Sequence, residues 1–334
     1  MYYTNSVEAK HTDTNLFKIH GRTVSEENGL IISWSNSGIE LKFKGQRAEF
    51  FFGEYTVTEQ PVYVKAYFDG HSQRFCLAGK SPKVLLDFEK DGVHTVKILR
   101  VSEGEALFFG GFKVYGKSPE ILTPPADKKL KIEFMGDSIT AGFGVLAPRS
   151  QNVYTTYEQD STMAYAYMTA ELLDADIRTE AISGQGVFRN CAKEKGHQFK
   201  SIFDMVMRVR EGYDHSSWTP DVFVLNCGTN DVPGGTTNEI MYVEGSLLLD
   251  KIRNAYPKAE IIWTYGMMNG NFNDTLKFLI DAKRACGDKK MHYIYLKDIY
   301  SGTDEVGAIG HPNVNASVRV SKKLAGEIKK ILGK

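Results

Sequence analysis

The chain has 334 residues, and its 41 basic and 41 acidic side chains give a formal net charge of zero. That balance removes the broad electrostatic attraction on which binding to nucleic acid or to an anionic membrane depends, so we expect neither partner. The length exceeds the usual size of one domain, which predicts two domains, each large enough to bury its own core.

The sequence shows no targeting or membrane segment. Its first residues lack the basic stretch and apolar run of a secretory signal, and no stretch approaches the roughly 18 apolar residues of a membrane span. We therefore expect a cytoplasmic protein. The cysteines are widely spaced and form no C-x-x-C pair, which predicts reduced core residues rather than disulfides or a zinc site. They are Cys76, Cys191, Cys227 and Cys286.

Residues 1–118 carry the pattern of a β-sandwich. Apolar and polar residues alternate in short runs from about 17 to 115, as in IELKF at 39–43, and turns such as Asp-Gly at 69–70 separate the runs. This pattern predicts an antiparallel sandwich. Prolines and charges then accumulate, which predicts a linker over 119–129.

Residues 130–334 change to a pattern in which strand-like runs alternate with helix-length segments. The runs are KIEFMGD, DIRTEAIS, VFVLNCG, EIIWTYG and MHYIYLK, and the predicted helices cover 161–173, 199–210, 239–255, 275–285 and 314–332. Five such repeats predict an α/β domain with a parallel sheet and helices on both faces. In these sheets the ligand lies beyond the carboxyl ends of the strands.

Four residues fall where that rule places a ligand. Ser138 follows the first run in GDSIT, Gly184 follows the second in ISG, and Asn230 follows the third in GTND. His311 stands before the last helix in GHPN. Together they suit acyl transfer, in which the imidazole takes the serine proton and Oγ attacks a carbonyl. The backbone amides of Ser138 and Gly184 and the side-chain amide of Asn230 would stabilise the oxyanion.

Each of these residues also has an ordinary structural explanation. Ser138 could cap a helix, Gly184 could serve a turn, Asn230 could form an Asx motif, and His311 could be a surface residue at a helix start. A capping role for the serine gives no reason for the other three to stand at matching positions, so we favour the nucleophile. We expect Asp137 to stabilise the turn rather than to act as an acid.

In this order and at these spacings, GDSIT, ISG, GTND and HPN resemble the conserved blocks of the SGNH (GDSL-type) hydrolases over 131–332. With the preceding sandwich, the whole chain resembles the two-domain family 2 carbohydrate esterases, which remove acetyl groups from plant polysaccharides such as xylan and glucomannan. The resemblance implies a jelly-roll first domain and a flavodoxin-like second domain. It also implies Ser138 as nucleophile, His311 as base, and Ser138, Gly184 and Asn230 as oxyanion donors. We also expect no cofactor and no metal, because the histidines show no H-E-x-x-H or comparable spacing.

One position departs from the SGNH pattern. These enzymes commonly carry Asp three residues before the histidine, whereas this chain has Ala308. Family 2 includes members that use a Ser-His dyad with a backbone carbonyl holding the imidazole, so the resemblance implies that arrangement here. Asp304 and Glu305 lie nearby in sequence, and nothing in the sequence places either against His311.

Side chains that follow the strands are candidates for sugar contacts, because aromatic faces and amides suit a sugar ring. They are Tyr265, Met267, Met268 and Asn269 after the fourth run, and Phe143, Phe188 and Arg189 after the first two. Tyr265 and Met267 could instead pack beneath their loop.

Two other functions stay open at this point. One is a catalytically inactive carbohydrate-binding protein in which the sandwich recognises the sugar. The other is a lipase-type or thioesterase-type SGNH hydrolase, although no long apolar segment indicates a lid or an acyl tunnel.

Overall fold

A computed structural model of the chain describes residues 5–54, 60–79, 81–194, 196–300 and 304–334. The chain divides into two compact units, Met1–Asp127 and Lys128–Lys334. Across the described ranges, no helix combines the length and the apolar character needed to cross a membrane.

The first unit is an antiparallel β domain. Its strands are β1 (Asn5–Lys10), β2 (Lys18–His20), β3 (Thr23–Glu26), β4 (Gly29–Ile32), β5 (Gly38–Glu54), β6 (Val62–Phe68), β7 (His71–Leu77), β8 (Lys83–Arg100), β9 (Leu107–Gly116) and β10 (Glu120–Leu122). The main sheet path runs β3-β4-β9-β5-β8-β6-β7, with β1 on β9 and with β2 and β10 on β5. The predicted antiparallel β domain is confirmed.

The core of this unit is built from the alternation seen in the sequence. In β6, Val62, Val64 and Ala66 are buried while the residues between them are partly exposed. Phe17 packs edge-on against Phe109, with ring centroids 5.6 Å apart. A period of two places one side of each strand in the core, which is why this pattern can be recognised without a structure.

The linker predicted over 119–129 requires correction. Residues 120–122 form β10, which pairs with 42–44 of β5. Ile121 packs against the hydrophobic core of the first unit. This short strand escapes a sequence search because the prolines and charges around it dominate the local composition.

The second unit contains a five-stranded parallel sheet. Its elements are β11 (Leu130–Gly136), α1 (Ser138–Ala141), α2 (Tyr165–Leu172), β12 (Ala175–Ala181), α3 (Phe199–Ile202), β13 (Met205–Met207), β14 (Arg210–Glu211), β15 (Val222–Asn226), α4 (Asp231–Gly234), α5 (Asn238–Ala255), β16 (Glu260–Tyr265), α6 (Asn273–Ala285), β17 (Met291–Tyr295) and α7 (Val314–Ile331). The strand order is β12-β11-β15-β16-β17, which is the flavodoxin-like order. All five residues of β15 are buried, as expected of a central strand covered on both faces. The predicted fold class is confirmed.

One predicted helix is wrong in its second half. The helix expected over 199–210 ends at Ile202, and β13 and β14 then form a short antiparallel pair. The backbone amides of Gly212 and Tyr213 both donate to the carbonyl of Asp204, which closes this pair. The β-branched Val206 and Val209 fall in the same stretch and disfavour a helix there.

The cysteine prediction is also wrong in part. All four cysteines are free, but only Cys227 is buried. Cys76, Cys191 and Cys286 are exposed rather than part of a core. A cysteine side chain is small enough to be accommodated in the core or at the surface, so the residue type alone says little about its burial.

Candidate active site

Ser138 lies at the sharp turn between β11 and α1. Asp137 caps this helix, because its Oδ1 accepts the backbone N–H of Ile139 at 3.0 Å. Ser138 is therefore the first helical residue and not the cap, so helix capping does not explain the serine at this position. Its Oγ lies 2.9 Å from Nε2 of His311.

The turn depends on a glycine directly before the aspartate. A Cβ added to Gly136 would stand 2.0 Å from Oγ1 of Thr140 and 2.9 Å from the carbonyl oxygen of Asn226. The helix can therefore fold back onto the strand end only because residue 136 has no side chain. This close approach places the serine hydroxyl at the rim of the sheet.

His311 is held by the backbone of its own loop. Its Nδ1 lies 3.1 Å from the carbonyl oxygen of Ile309. When Nδ1–H donates to that carbonyl, Nε2 is left as the acceptor facing the Ser138 hydroxyl. Ile309 adopts φ 49° and ψ 37°, a left-handed conformation that is unusual for a β-branched residue. Its N–H donates to the carbonyl of Gln151 at 3.0 Å, which supports this conformation.

The position where SGNH enzymes carry an aspartate is filled by a buried alanine. Ala308 is fully buried. A Cβ added to Gly144 would stand only 2.7 Å from the Cβ of Ala308, so the space around this alanine is filled. The carboxylate of Glu305 accepts two hydrogen bonds from the guanidinium of Arg319, at 2.6 and 2.7 Å. The backbone carbonyl of Asp304 accepts from the side-chain amide of Asn315 at 2.9 Å.

Gly184 and Asn230 line the same cleft as Ser138 and His311. Gly184 has φ 80°, which favours glycine, and its carbonyl accepts the N–H of Cys191 at 3.0 Å. The side-chain amide of Asn230 donates to the carbonyl of Gln185 at 2.9 Å and lies 3.3 Å from Oδ2 of Asp137. The asparagine therefore ties the loop after β12 to the turn that carries Ser138.

Sequence reasoning missed the contribution of Asp231. Its buried carboxylate accepts the backbone N–H groups of Val187, Phe188 and Arg189 at 2.7, 2.8 and 3.0 Å. It also accepts the hydroxyl of Thr236 at 3.0 Å. Burial raises the pKa of Asp231, and these donors oppose that rise. The only signal in the sequence was the acidic residue directly after Asn230 in GTND.

The four predicted residues line one cleft of about 470 Å³. Ser138, Gly184, Asn230 and His311 all contribute to its wall, together with Met268 and the other residues named below. The carboxyl ends of β11, β12 and β15 bring the first three together. The loop before α7 supplies the histidine, as expected for a ligand site at the strand ends.

Of the candidates for sugar contacts, Tyr265 and Met267 are corrected by the structure. Tyr265 is 0% exposed and Met267 is 1% exposed, so both pack beneath the loop. The hydroxyl of Tyr265 donates to the side chain of Asn269, which does line the cleft. Burial also raises the pKa of Tyr265. Tyr265 therefore supports a cleft residue rather than reaching the cleft itself.

Phe188 and Arg189 have a different place from Phe143 and Met268. Phe143 and Met268 line the cleft. Phe188 and Arg189 are not among the described residues that line it. The guanidinium carbon of Arg189 lies 5.5 Å from the ring centroid of Phe188. The backbone amides of both residues donate to Asp231, so these two residues anchor the loop after β12 instead.

The cleft thus combines a serine hydroxyl, an imidazole in contact with it, and two residues, Gly184 and Asn230, that carry backbone and side-chain amides. On a flavodoxin-like sheet, this set of groups is compatible with acyl-transfer chemistry.

The comparison with known families specifies the class further. Residues 134–304 match the GDSL-like Lipase/Acylhydrolase family, and residues 19–125 match the Carbohydrate esterase 2 N-terminal domain. The chain belongs to the GDSL-like lipase/acylhydrolase family and carries the first domain of the family 2 carbohydrate esterases. The resemblance stated from the sequence is confirmed.

Individual relatives agree with this assignment. The chain is 28% identical over 327 residues to the cellulase/esterase CelE of Acetivibrio thermocellus, covering 92% of this chain but only 38% of CelE. It is 24% identical over 312 residues to an acetylxylan esterase / glucomannan deacetylase of Cellvibrio japonicus, covering 85% of this chain and 81% of that protein. A family two carbohydrate esterase from Clostridium thermocellum, solved with cellohexaose, superposes with a TM-score of 0.88 at 26% identity, covering 95% of this chain and 99% of that one.

Proposed function

We propose that this protein is a serine esterase that removes O-acetyl groups from plant-type oligosaccharides derived from xylan or glucomannan. One observation carries the proposal: Oγ of Ser138 lies 2.9 Å from Nε2 of His311. Both atoms face a cleft that Gly184 and Asn230 also line. The names of the relatives support the acetyl group and the saccharide, and the cellohexaose complex supports a sugar chain as the ligand.

In the proposed mechanism His311 acts as general base and then as general acid. Nε2 takes the proton of Ser138 as Oγ attacks the acetyl carbonyl, and it then gives that proton to the departing sugar hydroxyl. Water repeats the sequence on the acetyl-serine, so that acetate leaves and the serine hydroxyl is restored. No metal or cofactor enters this mechanism, and that expectation stays a prediction.

The histidine works without a carboxylate partner in this proposal. The Ile309 carbonyl accepts Nδ1–H, so Nε2 keeps the lone pair that the serine proton requires. A carbonyl fixes this tautomer, but it carries only a partial charge with which to stabilise the imidazolium. The proposed unit is therefore a Ser138-His311 dyad with a backbone acceptor.

The oxyanion is assigned to three donors around the serine. They are the backbone N–H groups of Ser138 and Gly184 and the side-chain amide of Asn230. The amide of Asn230 is fixed by its 2.9 Å bond to Gln185, while its contact with Asp137 is longer, at 3.3 Å. The hydrogen that makes this longer contact is the one we assign to the developing negative charge, because the weaker bond is the easier one to exchange.

Acetate release tests the proposal directly. Purified protein is incubated with acetylated xylan and glucomannan oligosaccharides, beside a p-nitrophenyl ester series of increasing chain length and the Ser138→Ala variant. We expect acetate from at least one oligosaccharide, faster turnover of acetyl than of butyryl esters and no turnover by the variant. A rate that rises with acyl length would support a lipase-type enzyme, and sugar binding without turnover would support an inactive binding protein.

The cytoplasmic location stays a prediction. Fractionation of cells that produce the protein natively tests it, because the prediction requires the activity in the soluble cell fraction. Activity recovered from the medium of intact cells would contradict it.

A further inference from the structure

Two aromatic rings stack in series beside the imidazole of His311. The centroids of Phe143 and Tyr154 lie 3.8 Å apart, and their planes differ by only 11°. The ring of Phe143 lies 4.5 Å from the imidazole, at an angle of 38°. The catalytic ring therefore has an aromatic side chain against it, and a second ring backs that side chain.

Gln159 anchors the outer end of this stack. It is 0% exposed, and its side-chain amide donates to the carbonyl of Ala141 at 2.9 Å. Its side-chain oxygen accepts the hydroxyl of Tyr154. Ala141 is the last residue of α1, which begins at Ser138. The contacts thus run from the helix of the nucleophile through Gln159, Tyr154 and Phe143 to the base.

This connection meets a specific need of a dyad. The Ile309 carbonyl holds Nδ1, but a hydrogen bond to that carbonyl does not by itself fix the plane of the imidazole. A tilt would move Nε2 off the Ser138 hydroxyl, and displacements of about 1 Å at a reacting atom can cost about 100-fold in rate. A packed aromatic ring limits that tilt without adding charge.

We propose that Phe143 and Tyr154 are positioning residues that fix the plane of the His311 imidazole and keep Nε2 on the hydroxyl of Ser138. The inference rests on the proposed function, since it concerns the base of that reaction. Only Phe143 also lines the cleft, so a substrate contact is the competing explanation for Phe143. Tyr154 is not among the described residues that line it, which makes Tyr154 the better test.

The experiment compares kcat and KM for p-nitrophenyl acetate across four variants. Tyr154→Ala removes the backing ring, Tyr154→Phe keeps the ring but loses the bond to Gln159, and Phe143→Leu removes the aromatic face. Tyr157→Ala is the matched control, because Tyr157 belongs to the same segment and is 64% exposed. We expect Tyr154→Ala to lower kcat by about 10- to 100-fold with KM within about twofold. Phe143→Leu should behave similarly, Tyr154→Phe should restore most of the rate, and the control should match the wild type.

A second readout isolates the first half of the reaction, in which Oγ of Ser138 attacks the ester. A p-nitrophenyl phosphonate ester reacts with Ser138 by forming an Oγ–P bond and releasing p-nitrophenolate, while the serine proton passes to His311. At saturating reagent, the rate of this labelling reports on the attack by Ser138 together with its base and the oxyanion donors. It should fall by the same factor as kcat in Tyr154→Ala and recover in Tyr154→Phe.

Two results would overturn the inference. One is Tyr154→Ala with kcat and labelling rate within twofold of the wild type, and the other is a rise in KM alone. If Tyr154→Ala does not fold, Tyr154→Leu is measured against the same limits. Failure of the proposed function would be recognised separately, as a wild-type protein without esterase activity or a Ser138→Ala variant that retains it.

Discussion

On one side of Ser138, the loop with Gly184 is tied down by a buried carboxylate. Asp231 accepts three consecutive backbone amides there, at 2.7 to 3.0 Å. On the other side, His311 is held by the neutral carbonyl of Ile309 at 3.1 Å and by an aromatic contact. The comparison shows that a charged carboxylate fixes the loop of the proposed oxyanion donor Gly184, whereas neutral groups orient the proposed base. The predictions below test each side in turn.

The largest expected effect comes from the residue between the two sides. Ser138→Ala should lower kcat by about 10⁴-fold or more, because no other group can form the acyl intermediate. Its Tm should stay close to that of the wild type, since only a hydroxyl is lost. Ser150→Ala, an exposed serine in the same unit, is the control. Turnover by Ser138→Ala within a few-fold of wild type would remove the nucleophile assignment.

On the oxyanion side, Asn230→Ala should lower kcat by about 10²- to 10³-fold, the usual cost of losing one donor. Steady-state kinetics with an acetyl ester measures this, with Asn254→Ala on the exposed face of α5 as the control. A change in KM alone would make Asn230 a substrate-binding residue instead.

The anchor of that side is tested by Asp231→Asn. The variant keeps the shape of the side chain but loses the charge that three amides share, so the loop with Gly184 should loosen. We expect kcat to fall by about tenfold or more and Tm to decrease, since hydrogen bonds to charged groups are among the stronger ones. Asp214→Asn, at an exposed turn, controls for the loss of a charge. An unchanged kcat would show that the oxyanion loop does not need the carboxylate.

On the base side, Ala308→Asp restores the residue that most SGNH enzymes carry. Because Ala308 is fully buried and packs against Gly144, the added carboxylate would enter a crowded, desolvated place. We expect a lower Tm and no gain in kcat, measured beside Ala308→Ser as a smaller polar substitution. A kcat several-fold above wild type would show that this fold accepts a triad.

The strand ends and the convergence of three cleft residues could be predicted, because both follow from local patterns. Alternating runs mark strands, and parallel strands place their carboxyl ends at one edge, which gathers Ser138, Gly184 and Asn230. The direction in which a side chain points after a strand ends could not be predicted in the same way. Gly266, at φ 120°, turns the chain between Tyr265 and Met267, and both side chains end beneath the loop.

Other features depend on contacts that a sequence does not display. Asp231 binds amides more than 40 residues earlier in the chain. The Ile309 carbonyl points at His311 only because residue 309 adopts a left-handed backbone conformation. The resemblance to family 2 esterases implied a backbone acceptor for the histidine, but only the structure identifies its residue.

The smallest expected effect gives the most direct test of the dyad. The measurement is kcat of the double variant Asp304→Asn/Glu305→Gln, which neutralises both carboxylates near His311 in sequence. Arg319→Gln is the control, because it breaks the same ion pair with Glu305 while leaving that carboxylate in place. The account predicts a loss of less than about tenfold, similar in the variant and the control. A loss approaching the ~10⁴-fold seen when a triad aspartate is neutralised, and absent from the control, would contradict it.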